Sequence, residues 1–244
     1  MAEAVVTKAK PRGGAGRSGL VRDILLVASA LLMGLTLVLI YFWVPTEQNL
    51  GVLQRIFYFH VPVGWLGMVS IVLVAIASIM HLVTGKDKWD SLAYATAEIG
   101  LISATIIIVT GTIWAKPVWG IWWTWDAKLT TTLILWFIYV GYLMVRAYSP
   151  QGSQGKRYAS VVALIGAIDA PIIYMATVWW RTTHPELNIG PLAESEDALG
   201  DSRISITFLI SMITFTVLYV LILMERYSMK RTEADLDELH QRAS

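Results

Sequence analysis

The chain has 244 residues, of which 56% are hydrophobic and only 15% charged, and its formal net charge is +1. Soluble domains carry about a quarter of their residues charged, so the deficit assigns this chain to the membrane class before any motif is read. The near-neutral balance gives no sign of a nucleic-acid partner, and the lack of any cysteine excludes disulfides and iron–sulfur clusters.

Residues 1–22 are polar, basic and glycine-bearing, and they read as a cytoplasmic tail. The opening residues are too polar for a signal peptide, and the apolar run that follows is too long for one. A bilayer core takes about 20 apolar residues per helix. Six stretches qualify: 24–44, 61–83, 94–115, 129–148, 158–180 and 204–224. The expected fold is an all-α integral membrane protein with about six transmembrane helices in one domain, residues 23–224, followed by a charged tail, 225–244. Short connections predict antiparallel neighbours.

Lys and Arg in the connecting segments set the orientation. One side carries 14 of them, both tails included, and the other carries 5: Arg55, Lys116, Lys128, Arg181 and Arg203. Both termini are therefore expected in the cytoplasm. Three loops then face outward, 45–60, 116–128 and 181–203, the last rich in Asp and Glu.

Loop 116–128 reads Lys116-Pro117-Val118-Trp119-Gly120-Ile121-Trp122-Trp123-Thr124-Trp125-Asp126, with four of the chain's 11 tryptophans in seven positions. Pro117 suits the first turn of a helix. If a helix follows it, Trp119, Trp122, Trp123 and Asp126 share a face and form an indole shelf in the interface plane. Two readings stand side by side. One is an aromatic belt; the other is a site for a planar aromatic ligand. Against a two-sided belt, nine of the tryptophans map to the outer half, among them Trp43, Trp65, Trp114, Trp179 and Trp180. Asp126, just before the fourth helix, suits an N-cap.

His60 opens the second helix, and His184 follows the fifth on the same side as the Trp loop. Taken singly, each reads as an interfacial polar residue. Together with the indoles they read as two imidazoles able to ligate one haem iron from opposite faces. Arg55, Lys116, Lys128 and Arg181 are then candidates for the haem propionates. His81 lies about 31 Å along the helix from His60 at 1.5 Å per residue, and like His240 it is expected to be solvated and outside the site. Asp169, two residues before Pro171 in the fifth helix, reads either as functional or as the hydrogen-bonded partner of a neighbouring helix. Glu98, near the inner end of the third helix, takes no role.

Ligands at helix ends leave a haem edge exposed. That suits presentation of haem to another protein better than electron transfer, which favours ligands well inside the helices.

Trp119-Gly120-Ile121-Trp122-Trp123-Thr124-Trp125-Asp126 resembles the WWD signature of haem-handling proteins in cytochrome c biogenesis. With its size, six helices, Phe57-Tyr58-Phe59-His60-Val61-Pro62 and the histidine after the fifth helix, the chain is similar to the CcmC family of bacterial cytochrome c maturation. The resemblance implies His60 and His184 as axial ligands of a haem b bound in transit. It implies the Trp loop, with Trp119, Trp122, Trp123, Trp125 and Asp126, as its platform and as the contact surface for a haem chaperone. It also implies a CcmE-like haem chaperone, a CcmA-like ATPase with a CcmB-like membrane subunit, a small CcmD-like membrane protein, and the bacterial inner membrane with the haem site facing the periplasm. Lys128 departs from the Arg that the family often carries, and loses bidentate geometry.

The resulting expectation is a non-enzymatic haem-binding and delivery subunit whose ATP hydrolysis comes from a partner. The alternatives are a haem lyase acting directly on apocytochrome c, a b-type electron-transfer cytochrome and a haem channel.

Overall fold

The computed structural model describes residues 15–149, 152–180, 182–184 and 201–243. Its helices are α1 (Ala15–Val38), α2 (Phe57–Thr84), α3 (Asp87–Trp119), α4 (Ala127–Tyr148), α5 (Ser153–Trp179) and α6 (Ser202–Ala243). Six spans along them are long and apolar enough to cross a membrane, and no strand occurs among the described residues. The all-α, six-helix expectation holds.

Helix ends follow local chemistry. α1 widens into a π-helical turn, Leu39–Trp43, before the chain leaves it. α2 stops at Gly85, whose φ of 65° lets its N–H reach the His81 carbonyl at 2.8 Å. α3 then starts with Asp87 and Asp90 in its first turn, where carboxylates complement the helix dipole. α6 runs 42 residues without a break, about 63 Å at 1.5 Å per residue, so it outreaches a bilayer core of about 30 Å. The charged residues beyond 224 are a continuation of that helix, with Lys230–Glu233 and Arg231–Asp235 pairs along it.

α2, α3, α4 and α5 share a core of Ile71, Val74, Ala97, Leu135, Tyr139, Tyr142 and Ile173. α6 packs on α2 and α3, and α1 packs chiefly on α6. Between apolar helices in lipid there is little hydrophobic drive, so close approach and hydrogen bonds hold them together. Gly166 shows the first: a Cβ there would sit 3.1 Å from Ile138 and 3.2 Å from Tyr139. The second appears in Thr36–Thr214 at 2.7 Å between α1 and α6, and Ser70–Tyr219 at 3.0 Å between α2 and α6.

The end of the bundle opposite His60 is tied by ion pairs. Arg146 meets buried Asp90 at 2.9 Å, and Lys156 meets Asp87 at 2.7 Å. Arg226 grips Glu98 through two nitrogens, at 2.5 and 2.8 Å. Glu98, assigned no role from sequence, thus fastens α6 to α3. His81, expected to be solvated, is only 4% exposed, with Nδ1 3.4 Å from the carbonyl of Lys86, the residue that precedes α3.

Candidate functional site

At the His60 end the chain makes a tight turn before α2. Glu47 accepts the backbone N–H groups of Asn49, at 2.8 Å, and Leu50, and Gly51 takes a φ of 58° that favours glycine. A short 3₁₀ helix, Val52–Ile56, then runs straight into α2. His60 therefore lies in the first turn of α2, held against α3. Its Nδ1 is 2.8 Å from the Thr110 hydroxyl, and a Cβ at Gly111 would come within 3.3 Å of its ring.

The Trp loop departs from expectation. No helix follows Pro117; Pro117 lies in the last turn of α3. The helix ends because Gly120 enters the left-handed region at φ 78° and its N–H closes on the Lys116 carbonyl at 3.0 Å. Residues 121–126 are irregular, so the i, i+3, i+4 face does not exist and the indoles divide. Trp119 and Trp123 turn inward, with Trp119 edge-on to Trp114 at 5.2 Å. Trp122 and Trp125 are 56% and 76% exposed.

Asp126 is the N-cap of α4: its Oδ1 accepts the Leu129 N–H at 3.0 Å. Its Oδ2 takes the hydroxyls of Thr124, at 3.0 Å, and Thr183, at 2.7 Å, with the Thr183 N–H at 3.2 Å. Burial alone would push this carboxyl up; the hydrogen bonds outweigh it and hold it below the ordinary carboxylate range.

These elements enclose a cavity of about 550 Å³, within the span of small-molecule sites. His60, His184, Trp119, Trp123 and Lys128 line it, and Trp65 and Trp114 add further indole wall. It reaches down to an apolar floor that includes Met68, Ile71, Leu135 and Ile173. Trp123 Nε1 is buried without a hydrogen-bond partner among the described residues, and no described carboxylate lies within 4.0 Å of Lys128 Nζ. Both cationic and N–H donors are thus available to an anionic or carbonyl-bearing guest.

Not every sequence candidate converges here. Arg55 lies 5.6 Å over the Tyr41 ring and does not line the cavity. Lys116 turns to the Gly120 carbonyl at 2.8 Å and lies 5.9 Å over Trp122. Arg181 is outside the described residues. Asp169 is buried in α5, with Oδ2 unpartnered among the described residues, and is not part of the cavity wall. Sequence reasoning missed Thr110 and Thr183. A lone threonine in an apolar helix, or in a loop, carries no periodic signal; each gains meaning only from the residue it meets.

Residues 5–242 match the family model described as CcmC, heme exporter protein C. The chain belongs to this family. Curated relatives agree. The chain is 30% identical to heme exporter protein C of Haemophilus influenzae, over 84% of this chain and 82% of the relative. It is 35% identical to heme exporter protein C of Bradyrhizobium diazoefficiens, over 72% of this chain and 66% of the relative, just under two thirds of its length. It is 38% identical to that of Escherichia coli K12, over 57% of each. Family membership and six membrane-spanning helices make this a multi-pass membrane protein.

Proposed function

We propose that this chain binds haem in the cavity between His60 and His184 and delivers it to a CcmE-like chaperone during cytochrome c maturation. One observation carries the reading: two histidines from distant parts of the chain line one indole-walled cavity. A porphyrin brings four nitrogens of its own and needs only two axial ligands, a number that His60 and His184 can supply.

In this reading His60 and His184 hold the iron, Trp119 and Trp123 cover the ring, and Lys128 pairs with a propionate. Trp123 Nε1 is a further donor for it. Arg181 stays a candidate for the second propionate, and Arg55 is better placed to brace the loop at Tyr41. Asp126 acts through the backbone and hydroxyls it fastens. Trp122 and Trp125, exposed beside the cavity, offer the chaperone a surface. The chain itself performs no bond-making step. ATP hydrolysis is assigned to a CcmA-like partner with CcmB-like and CcmD-like subunits. The termini are assigned to the cytoplasm and the cavity to the periplasm by the 14-to-5 distribution of Lys and Arg. His60 in the first turn of α2 and His184 beyond α5 argue for haem presentation over b-type electron transfer.

The test is the absorption spectrum of the chain purified with its chaperone, compared with His60→Ala and His184→Ala. Each substitution should remove or shift the haem spectrum and stop chaperone loading. Haem binding that survives both substitutions unchanged would end this assignment and return the Trp loop to a protein-docking role.

A further inference from the structure

We propose that Thr110 is the positioning residue for His60: it accepts the Nδ1–H and so keeps Nε2 as the nitrogen that ligates iron. The inference rests on the haem-binding reading above and deepens it.

The Thr110 hydroxyl has one proton and two acceptor lone pairs. It lies 2.7 Å from the Ile106 carbonyl one turn back in α3, and a carbonyl only accepts, so the proton is committed there. Threonine commonly makes this bond to the preceding turn of a helix. The hydroxyl's contact with His60 Nδ1 at 2.8 Å must then be one in which the hydroxyl accepts and the ring donates. A neutral imidazole carries a single N–H. With that proton on Nδ1, Nε2 is the only ring nitrogen holding a lone pair, which is what a metal takes.

Geometry reinforces the pairing. Thr110 and Gly111 are consecutive on α3, and the His60 ring packs so closely that a Cβ at Gly111 would stand 3.3 Å from it. Glycine lets the ring approach, and threonine fixes its rotation. The anchor sits on a 33-residue helix rather than on a loop, so the ligand is oriented before its cargo arrives. The acceptor is also uncharged. A carboxylate in its place would raise the donor strength of the imidazole; a hydroxyl supplies tautomer and direction with little added basicity. That suits a cargo that has to leave.

The experiment uses the full chain in detergent micelles, titrated with ferric haem and followed by absorption and electron paramagnetic resonance. Thr110→Val keeps the shape and removes the acceptor. It should raise the haem Kd by about 10- to 100-fold, as loss of an outer-shell partner does elsewhere, and move part of the ferric haem from six-coordinate low-spin to high-spin. Imidazole added to the solution should restore the low-spin signal. Thr110→Ser, which keeps the hydroxyl, should stay close to wild type. Thr110→Ala gives the same readout if the valine variant does not fold.

Wild-type affinity and spin state in Thr110→Val would overturn the proposal, as would equal damage in Thr110→Ser. His60→Ala separates the two readings. If it leaves the haem spectrum unchanged, the two-histidine site itself fails. If it abolishes the low-spin signal while Thr110→Val does not, only the role of Thr110 fails.

Discussion

The Thr183 hydroxyl donates to Asp126 Oδ2 at 2.7 Å across 57 positions of sequence. Its backbone N–H reaches the same oxygen at 3.2 Å, and the other carboxylate oxygen caps α4. A single side chain thus starts a helix, closes the Trp loop through Thr124, and fastens the residue next to His184.

Removing that carboxylate should act twice. Asp126→Ala loses the cap, worth about 0.5–2 kcal/mol, and releases the segment carrying His184, so both thermal stability in detergent and haem affinity should fall. Asp126→Asn can still cap α4, but it cannot offer two acceptor oxygens. It should lie nearer to wild type in stability than in haem affinity. Wild-type haem affinity in Asp126→Ala would show that the tether does not serve His184.

The pH dependence has a definite sign. The Asp126 carboxyl sits below its ordinary range in the folded protein, so its contribution is fully present above the unfolded value of about 3.9 and is lost as pH falls through the lower folded value. Thermal unfolding across pH should show a constant gap between wild type and Asp126→Asn from about pH 8 down to about pH 5. The gap should then narrow below about pH 4. A gap that closes near neutrality would assign it to another group.

The division of the indoles predicts separable phenotypes. Trp119→Ala and Trp123→Ala remove cavity wall and should weaken haem binding by the isolated chain. Trp122→Ala and Trp125→Ala, at positions 56% and 76% exposed, should leave that binding nearly intact and lower transfer to the chaperone. Haem titration and a chaperone-loading assay distinguish the two pairs. Equal loss of haem binding by all four variants would mean that the bound state rebuilds the loop.

At the other end of the bundle, Asp90 and Arg146 have side chains only 6% and 15% exposed. Leaving a buried charge unpaired costs about 3–5 kcal/mol, whereas replacing the whole pair by apolar groups is often neutral. Asp90→Ala should therefore destabilise strongly, and Asp90→Leu combined with Arg146→Met should recover most of the loss, measured as unfolding midpoints in detergent. A double variant as unstable as the single one would point to a role for the pair beyond stability.

Much of the fold was legible along the chain because hydropathy is a one-dimensional quantity. A run of about 20 apolar residues needs no neighbour to declare itself a span, and each of the six stretches read from composition coincides with a membrane-spanning helix to within one residue at its overrun ends. The N-cap role of Asp126 was legible for the same reason, being a matter of residues a few positions apart. The conformation of the Trp loop is not legible in this way, because its residue spacing reports a face only if the segment is helical. A helical face requires a helix, and Gly120 ends α3 before the second, third and fourth indoles of the motif.

A multi-pass helical protein with a tryptophan cluster and two histidines at one end can be read from chain order, because span length, residue count and the family signature are properties of that order. Which of those groups meet depends on the packing of the helices. It put His60, His184, Trp119, Trp123 and Lys128 around one cavity, turned Arg55 away to Tyr41, and brought Thr110 to His60 and Thr183 to Asp126. The reason is physical. A hydrogen bond or a cavity wall depends on two backbones arriving side by side, and that arrival is set by how six helices pack. It leaves no periodic trace in either segment alone.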